Sequence, residues 1–418
     1  MREERAVLLV VGAGPVGLWT ALLLAEAGLE TVIIDREERT AARSYACALH
    51  PQTLARLQRL GLAEALLEQG RRVPTVAFYD HNTRRAELRL SELGGDFPFL
   101  LILPQDALEH LLEQRLRRAG VSVRWNHRFD GITEEAELVA ATIEELGGTS
   151  TGYIVPHWET VVRERRPLRA EFLLGADGHN SLVRQRLDID YHRVAGPQFF
   201  AAYEFLAEAP GEAEVRIVLD EATTNVLWPL PQNKYRWTFQ LIQSEIPPEF
   251  PDKERRAARL ARPAVDERIR QYVQRVAQHR APWFAAGVRE VTWCTEVAFE
   301  QRLARPVGRN RCWLLGDAAH QTGPVGVQSM NGGFAEGEEL AVLLRKILRE
   351  GAPLDLLAAY NRQRQEQWHR LLGMAGGPKA GPDADAWVRQ RSARILPCLP
   401  AADADLPRLA RQLRLDLA

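Results

Sequence analysis

Val7-Leu8-Leu9-Val10-Val11-Gly12-Ala13-Gly14-Pro15-Val16-Gly17 is the stretch that decides the fold of this chain. Ala6 to Val11 is apolar without alternation, which is how a strand covered on both faces in a parallel sheet reads. Pro15 to Ala27 follows with apolar residues at helical spacing and stops at Gly28. Between strand and helix, Gly12 permits a tight turn, Gly14 lets backbone approach a phosphate, and Gly17 lets the helix lie close on the sheet. Thr31 to Ile34 is a second buried strand, closed by Asp35-Arg36. An acid at that point accepts hydrogen bonds from ribose hydroxyls, and the free N–H groups of the helix start favour a pyrophosphate. The unit implies a bound dinucleotide.

Composition bounds the rest. With 418 residues the chain can hold more than one domain, and 46% hydrophobic residues supports a packed core rather than disorder. The net charge of −1 gives no global field toward nucleic acid or an anionic membrane. Cys47, Cys294, Cys312 and Cys398 form no Cys-x-x-Cys pair, so neither a metal site nor a disulfide framework is expected. No apolar run approaches the ~20 residues of a membrane span, and no signal-peptide core precedes the first strand. A cytoplasmic location follows.

Helices are expected over Thr53–Gln69, broken near Gly61, and over Gln105–Ala119. Val121–Trp125, Glu137–Glu144 and Thr160–Arg163 read as strands, the last two joined by a turn over Gly147–Gly152. From Gln198 to Gln243 the texture changes to short aromatic and β-branched runs: Phe199–Phe205, Glu214–Leu219, Asn225–Leu230 and Tyr235–Ile242. That pattern is an antiparallel sheet, closed by Pro247–Pro251. Ala264–Val276 reads as a helix, Val288–Phe299 and Cys312–Leu315 as strands returning to the first domain, and Gly332–Leu348 and Leu354–Leu371 as helices. Gly376–Pro382 is a linker, and Asp383–Ile395 and Leu406–Leu417 have helical apolar spacing. This tail either caps its own domain or pairs with another subunit in a homodimer.

Two further turns combine glycine with an acid: Gly175-Ala176-Asp177-Gly178-His179-Asn180-Ser181-Leu182-Val183-Arg184 and Gly316-Asp317-Ala318-Ala319-His320. Taken with the first motif, they resemble the FAD-dependent aromatic hydroxylases, the class of p-hydroxybenzoate hydroxylase and kynurenine monooxygenase. The resemblance spans about residues 6 to 370. It implies an α/β fold: an FAD-binding Rossmann-like domain with a parallel sheet (1–75, 100–190 and 285–375), an inserted antiparallel substrate sheet (76–99 and 191–284) and a C-terminal helical segment (376–418).

The same resemblance implies that Gly12, Gly14, Pro15, Val16, Gly17, Asp35, Arg36, Arg43 and Gln105 contact FAD. It places Asp177 near the pyrophosphate and the nicotinamide donor, and Gly316 and Asp317 at the ribityl chain. Pro324, Gly326, Val327, Gln328, Ser329, Met330 and Asn331 face the flavin ring, where a helix opening at Gly332-Gly333 stabilises the anionic edge of reduced flavin. Many relatives have glycine where Val327 and Ser329 stand, a departure that bears on oxygen activation. The implied chemistry is hydroxylation of an aromatic or polyketide-like substrate through a flavin C4a-hydroperoxide, with NAD(P)H as transient electron donor and O2 as oxidant. Tyr203, Trp228, Pro229, Trp237, Phe239 and Pro324 are the substrate-pocket candidates, with core packing the alternative for each. Tyr203, His320, His50 and Arg84 stay unranked as acid or base. Rival readings are a flavin-dependent halogenase, whose Trp-x-Trp-x-Ile-Pro segment is missing, an isoprenoid reductase, and a flavin-binding protein without turnover.

Overall fold

The computed structural model describes residues 4–40, 48–151, 157–207, 213–245, 267–284 and 286–417. Arg43, Cys47 and Pro247–Pro251 lie outside the described residues. Its helices are α1 (Pro15–Glu26), α2 (Pro51–Gln58), α3 (Ala63–Gln69), α4 (Gln105–Arg118), α5 (Leu182–Arg186), α6 (Glu267–Arg280), α7 (Gln328–Glu350), α8 (Asp355–Leu371), α9 (Ala386–Ile395) and α10 (Asp405–Gln412).

The apolar run at the N-terminus forms the strand Glu4–Val11 at the centre of an eight-stranded sheet. It pairs in parallel with Thr31–Ile34 on one side and His157–Gly175 on the other, and the latter pairs in parallel with Cys312–Leu314. The chain therefore leaves the central strand on one side and returns on the other, the switch point at which α/β sheets bind ligands. Leu8, Leu9 and Val10 are fully buried, as unalternated strands between covering layers must be.

The tandem glycines at Gly147-Gly148 do not turn the chain. Val139–Thr151 pairs across them with His157–Gly175, because cross-strand pairing continues from Val139 out to Thr151. Thr160–Arg163 and Phe172–Leu174 are thus parts of one long strand, and His127–Glu134, unmarked in the sequence, pairs alongside.

The second layer is a seven-stranded sheet in the order Val288–Phe299, Gln198–Ala207, Lys234–Leu241, Thr224–Pro229, Glu214–Leu219, Thr75–Asp80, Thr83–Arg89. Val288–Phe299 pairs with Gln198–Ala207, so it stays in this sheet instead of returning to the first domain. α6 covers one face: Val273 and Ala277 join Tyr203, Phe205, Tyr235, Trp237 and Phe239 in one apolar cluster. The other face packs toward the tail, whose Ile395, Leu396, Leu399 and Leu406 share a cluster with Val226, Trp228 and Leu230. The tail caps its own chain. Its supposed linker contains a strand, Pro378–Ala380, paired with Leu415–Leu417, where helix was expected.

Candidate active site

All three glycine–acid turns meet. Val11 is opposite Gly175, and Gly175 is opposite Leu314, so the turns leave the carboxyl ends of adjacent parallel strands. Ala176 N–H donates to Val11 O (2.7 Å) and Leu315 N–H to Gly175 O (2.9 Å), stitching turn to turn. Gly12 has φ +103°, and a Cβ there would stand 2.3 Å from Ala176 O. A Cβ on Gly17 would stand 1.9 Å from Gly12 O, so α1 can start this close to the loop only with glycine at both positions. The α1 N-terminus has no side-chain cap, which leaves its N–H groups for a ligand. A cleft of about 200 Å³ opens beside them, lined by Gly12, Gly14, Asp35, Arg36, Asp177 and Gly178.

Asp35 accepts hydrogen bonds from Ala13 N–H (2.6 Å) and Glu37 N–H (2.8 Å), which hold its carboxylate at the cleft. Asp177 corrects an expectation. Its carboxylate accepts from Ser181 Oγ (2.6 Å), Leu182 N–H (2.7 Å) and Val183 N–H (3.2 Å), so it holds the start of α5 and is not aimed at a cofactor. Burial pushes its carboxyl above the usual range despite those donors. Arg184, a residue of the same motif, does the bridging: it donates to His179 O and Ala318 O, both at 2.8 Å, and so ties the second turn to the third. Its guanidinium lies 3.7 Å from the Tyr191 ring centroid, and Tyr191 Oη donates to Asp317 O (2.9 Å).

Behind the third turn is a buried polar cluster that the sequence did not announce. Glu336 of α7 is 2% exposed and accepts from Gly316 N–H (3.1 Å) and Trp368 Nε1–H (2.7 Å), and its Oε1 is 2.7 Å from His320 Nε2. The His320 ring stacks on Trp368 at 3.5 Å. Burial alone would raise the Glu336 carboxyl, but His320, Arg364 and the Gly316 N–H outweigh it and hold it below the ordinary value. Ser329 Oγ lies 3.2 Å from His320 Nδ1 and donates to Asp317 Oδ1.

The loop Pro324–Val327 and the start of α7 come from three directions. Asn331 Oδ1 accepts from His50 N–H (2.9 Å), and Asn331 Nδ2 donates to Ala48 O (3.0 Å) and Val327 O (2.8 Å). His50 Nε2 is 2.9 Å from Gly326 O, and burial pushes that ring down to about 4. From the tail, Pro397 O accepts from Gly326 N–H (3.1 Å), and Gln328 Nε2 donates to Leu396 O (3.2 Å) and Leu399 O (3.0 Å). The helix begins at Gln328, not at Gly332-Gly333, and Gly333 lies inside it where a Cβ would stand 2.6 Å from Val16 Cγ2. Val327 caps it at φ 50°, a left-handed conformation that strains a β-branched residue by about 1–2 kcal/mol. Gln105 opens α4 and donates to Glu109 (2.7 Å), while Pro324 and Met330 are half-buried beside the loop.

The pocket candidates divide by strand alternation. Tyr203, Trp237 and Phe239 pack under α6, and Pro229 is paired opposite Tyr235 on that same face, so these four are core rather than pocket. Trp228 is on the opposite face, clustered with Val325 and Val327. Register puts it in one transverse row with Arg236, Glu204 and Trp293, three residues the sequence reading passed over. Arg236 Nε donates to Glu204 Oε1 (2.9 Å), and its guanidinium lies 5.3 Å from the Trp293 ring. A cleft of about 1120 Å³ separates this part of the sheet from Arg71, Pro104 and Asp106. Arg84 forms surface ion pairs with Glu87 and Glu214, and Tyr203 lies under α6, so neither is placed as an acid or base. Among the described residues no cluster of His, Cys, Asp and Glu could hold a metal, and no helix is long and apolar enough to cross a membrane.

Comparison with known proteins agrees with this geometry. Residues 4–374 match the family model described as an FAD binding domain. The para-nitrophenol 4-monooxygenase of Pseudomonas sp. strain WBC-3 is 28% identical over 372 residues, covering 86% of this chain and 82% of that one. The 6-methylpretetramide 4-monooxygenase of Streptomyces rimosus is 29% identical, covering 87% of this chain but only 60% of its own length. Among solved structures, p-nitrophenol 4-monooxygenase from Pseudomonas putida DLL-E4 superposes with TM-score 0.74 at 22% identity, over 99% of this chain and 97% of that one. The flavin-dependent monooxygenase PieE, solved with FAD and substrate, gives 0.67 at 21% identity over 89% of this chain and 64% of that one.

Proposed function

The chain belongs to the FAD-binding-domain family, and on that premise we propose that it is an FAD-dependent monooxygenase hydroxylating an aromatic or polyketide-like small molecule with NAD(P)H and O2. One observation carries the reading: three turns, far apart in sequence, converge at the carboxyl ends of adjacent parallel strands, where a long dinucleotide fits and a shorter ligand would leave turns unused.

The residues suit FAD. The uncapped start of α1 and the close-set Gly12 and Gly17 offer backbone N–H groups to a pyrophosphate. Asp35, already oriented by two backbone donors, retains lone pairs for ribose hydroxyls. Asp317 is exposed at the third turn and is the acid for the ribityl hydroxyls. The α7 N-terminus, also without a side-chain cap, turns its N–H groups toward the side where the ring would lie. When bound and reduced by hydride from NAD(P)H, FAD activates O2, so that one oxygen atom enters the substrate and the other leaves as water.

The remaining tasks fall to the protein. The row Trp228, Arg236, Glu204 and Trp293 forms the sheet wall of the substrate cleft, Trp293 for stacking and the Arg236–Glu204 pair for polar substituents. The division into an FAD-binding domain, a substrate sheet and a tail is part of the proposal, with the sheet extended to include Val288–Phe299.

The test begins with colour. Purified protein carries a yellow chromophore released on denaturation as FAD, and a colourless protein that FAD cannot reconstitute would sink the reading. Phenols and aromatic acids are then screened for stimulated NAD(P)H oxidation, with product mass read for a gain of one oxygen. Stimulation by every active compound without oxygen transfer would mark effectors and refute the hydroxylase assignment.

A further inference from the structure

Among the described residues, Asp317 has one hydrogen-bond donor to its carboxylate: the Ser329 hydroxyl at the first turn of α7. Ser329 itself is nine-tenths buried, and its oxygen also lies 3.1 Å from His320 O and 3.2 Å from His320 Nδ1. A hydroxyl has one proton and two acceptor positions. The ionised Asp317 oxygen is the stronger acceptor of the two within reach, so the proton goes there, and the serine oxygen stays available to the histidine ring. His320 is in turn held by Glu336, which is anchored by Trp368 Nε1–H and Gly316 N–H. An exposed carboxylate is thereby connected, through one serine, to a cluster with almost no solvent contact.

We propose that Ser329 is a positioning residue for the cofactor: its hydroxyl fixes the Asp317 carboxylate in one orientation, and the chain's grip on FAD depends on that hydroxyl. The proposal rests on the FAD reading above and adds to it a residue at which this chain departs from its family's usual glycine. Without the hydroxyl, Asp317 returns to a free side chain on an exposed turn. Cofactor binding must then restrain it, and a charge-assisted hydrogen bond is lost. The combined effect is roughly a tenfold weaker hold on FAD.

The experiment titrates apo protein with FAD, following flavin fluorescence, for wild type, Ser329→Ala, Ser329→Gly, Asp317→Ala and the double variant Asp317→Ala/Ser329→Ala. Expected is a Kd about tenfold higher in both serine variants. In the Asp317→Ala background, Ser329→Ala changes the Kd by less than about twofold, because the hydroxyl then has no carboxylate to orient. Thermal midpoints of the apo proteins separate a general loosening of α7 from this effect, and the glycine variant serves if the alanine variant does not fold. Wild-type affinity in the serine variants overturns the proposal. So does an equal loss with and without Asp317, which would mean that the serine acts only on the helix. Failure of the wild type itself to bind FAD would instead sink the reading on which the proposal stands.

Discussion

Glu336 lets the structure be tested by arithmetic. Its carboxylate is buried and meets Gly316 N–H, Trp368 Nε1–H and the Nε2 of His320. Each buried donor left without a partner costs about 1–3 kcal/mol, and breaking a buried charged pair costs about 3–5 kcal/mol. Glu336→Leu strands all of these groups and should destabilise the apo protein by roughly 5 kcal/mol, a large part of a typical folding free energy. Glu336→Gln keeps an oxygen for His320 and Trp368 but sets an NH2 against Gly316 N–H, which predicts an intermediate loss of about 2 kcal/mol. Urea unfolding at pH 7 measures both, with FAD retention read in parallel because Gly316 precedes Asp317. The pH dependence has a fixed sign. The folded carboxyl lies below its unfolded value of 4.5, so its contribution is complete above that value and is lost as pH falls through the folded pKa. A Glu336→Gln protein within about 0.5 kcal/mol of wild type, or a leucine variant within about 1 kcal/mol, would show that the cluster does not hold the turn.

Further outcomes follow from single contacts. The buried His50 ring has its pKa depressed from 6.5 to about 4, so the unfolded chain takes up the proton first. Stability should be level above about pH 6.5 and fall by roughly 3 kcal/mol toward pH 4, and His50→Gln should flatten that slope in urea titrations across the range. Gly17→Ala places a Cβ 1.9 Å from Gly12 O, backbone against backbone, and should cost at least about 3 kcal/mol and abolish FAD retention; a variant that folds and stays yellow would refute the close-approach argument. Gln328→Leu removes both donors to Leu396 O and Leu399 O, and should cost about 2 kcal/mol and speed limited proteolysis in residues 376–418; an unchanged cleavage rate would mean the tail is held elsewhere.

How much of this was legible depended on whether a signal is local. Gly12 and Gly17 could be read because strand, turn and helix lie within one short stretch and the packing demand falls on the glycines themselves. Glu214–Leu219 and Val288–Phe299 were delimited to the residue because β-branched and aromatic runs end at turn formers. Which face of that sheet meets the cofactor was not legible. Aromatic Tyr203 and Trp237 suggested a pocket, while charged Glu204 and Arg236 suggested solvent. The fold inverts this by laying α6 over the aromatics and turning the ion pair inward. Gly147-Gly148 misled for the opposite reason: glycine permits a turn without requiring one, and the pairing energy of the long hairpin carried the strand through.

The site's supports were invisible because they are contacts between remote segments. Arg184 reaches Ala318, His50 reaches Gly326, and Gln328 reaches Leu396, each joining parts of the chain that no local pattern connects. The turns that would face FAD are sequence motifs, whereas the groups that fix them are buried polar residues with complete hydrogen bonding, ordinary in composition and specified only by the fold. Such an arrangement places the unusual residue choices where they can alter cofactor hold without altering architecture. Val327 and Ser329 flank Gln328 at the start of α7, one strained and one bonded to Asp317, on a backbone held from outside by the tail and by His50. Because those outer contacts fix the loop independently, substitution at 329 changes what the carboxylate can reach before it changes where the helix begins.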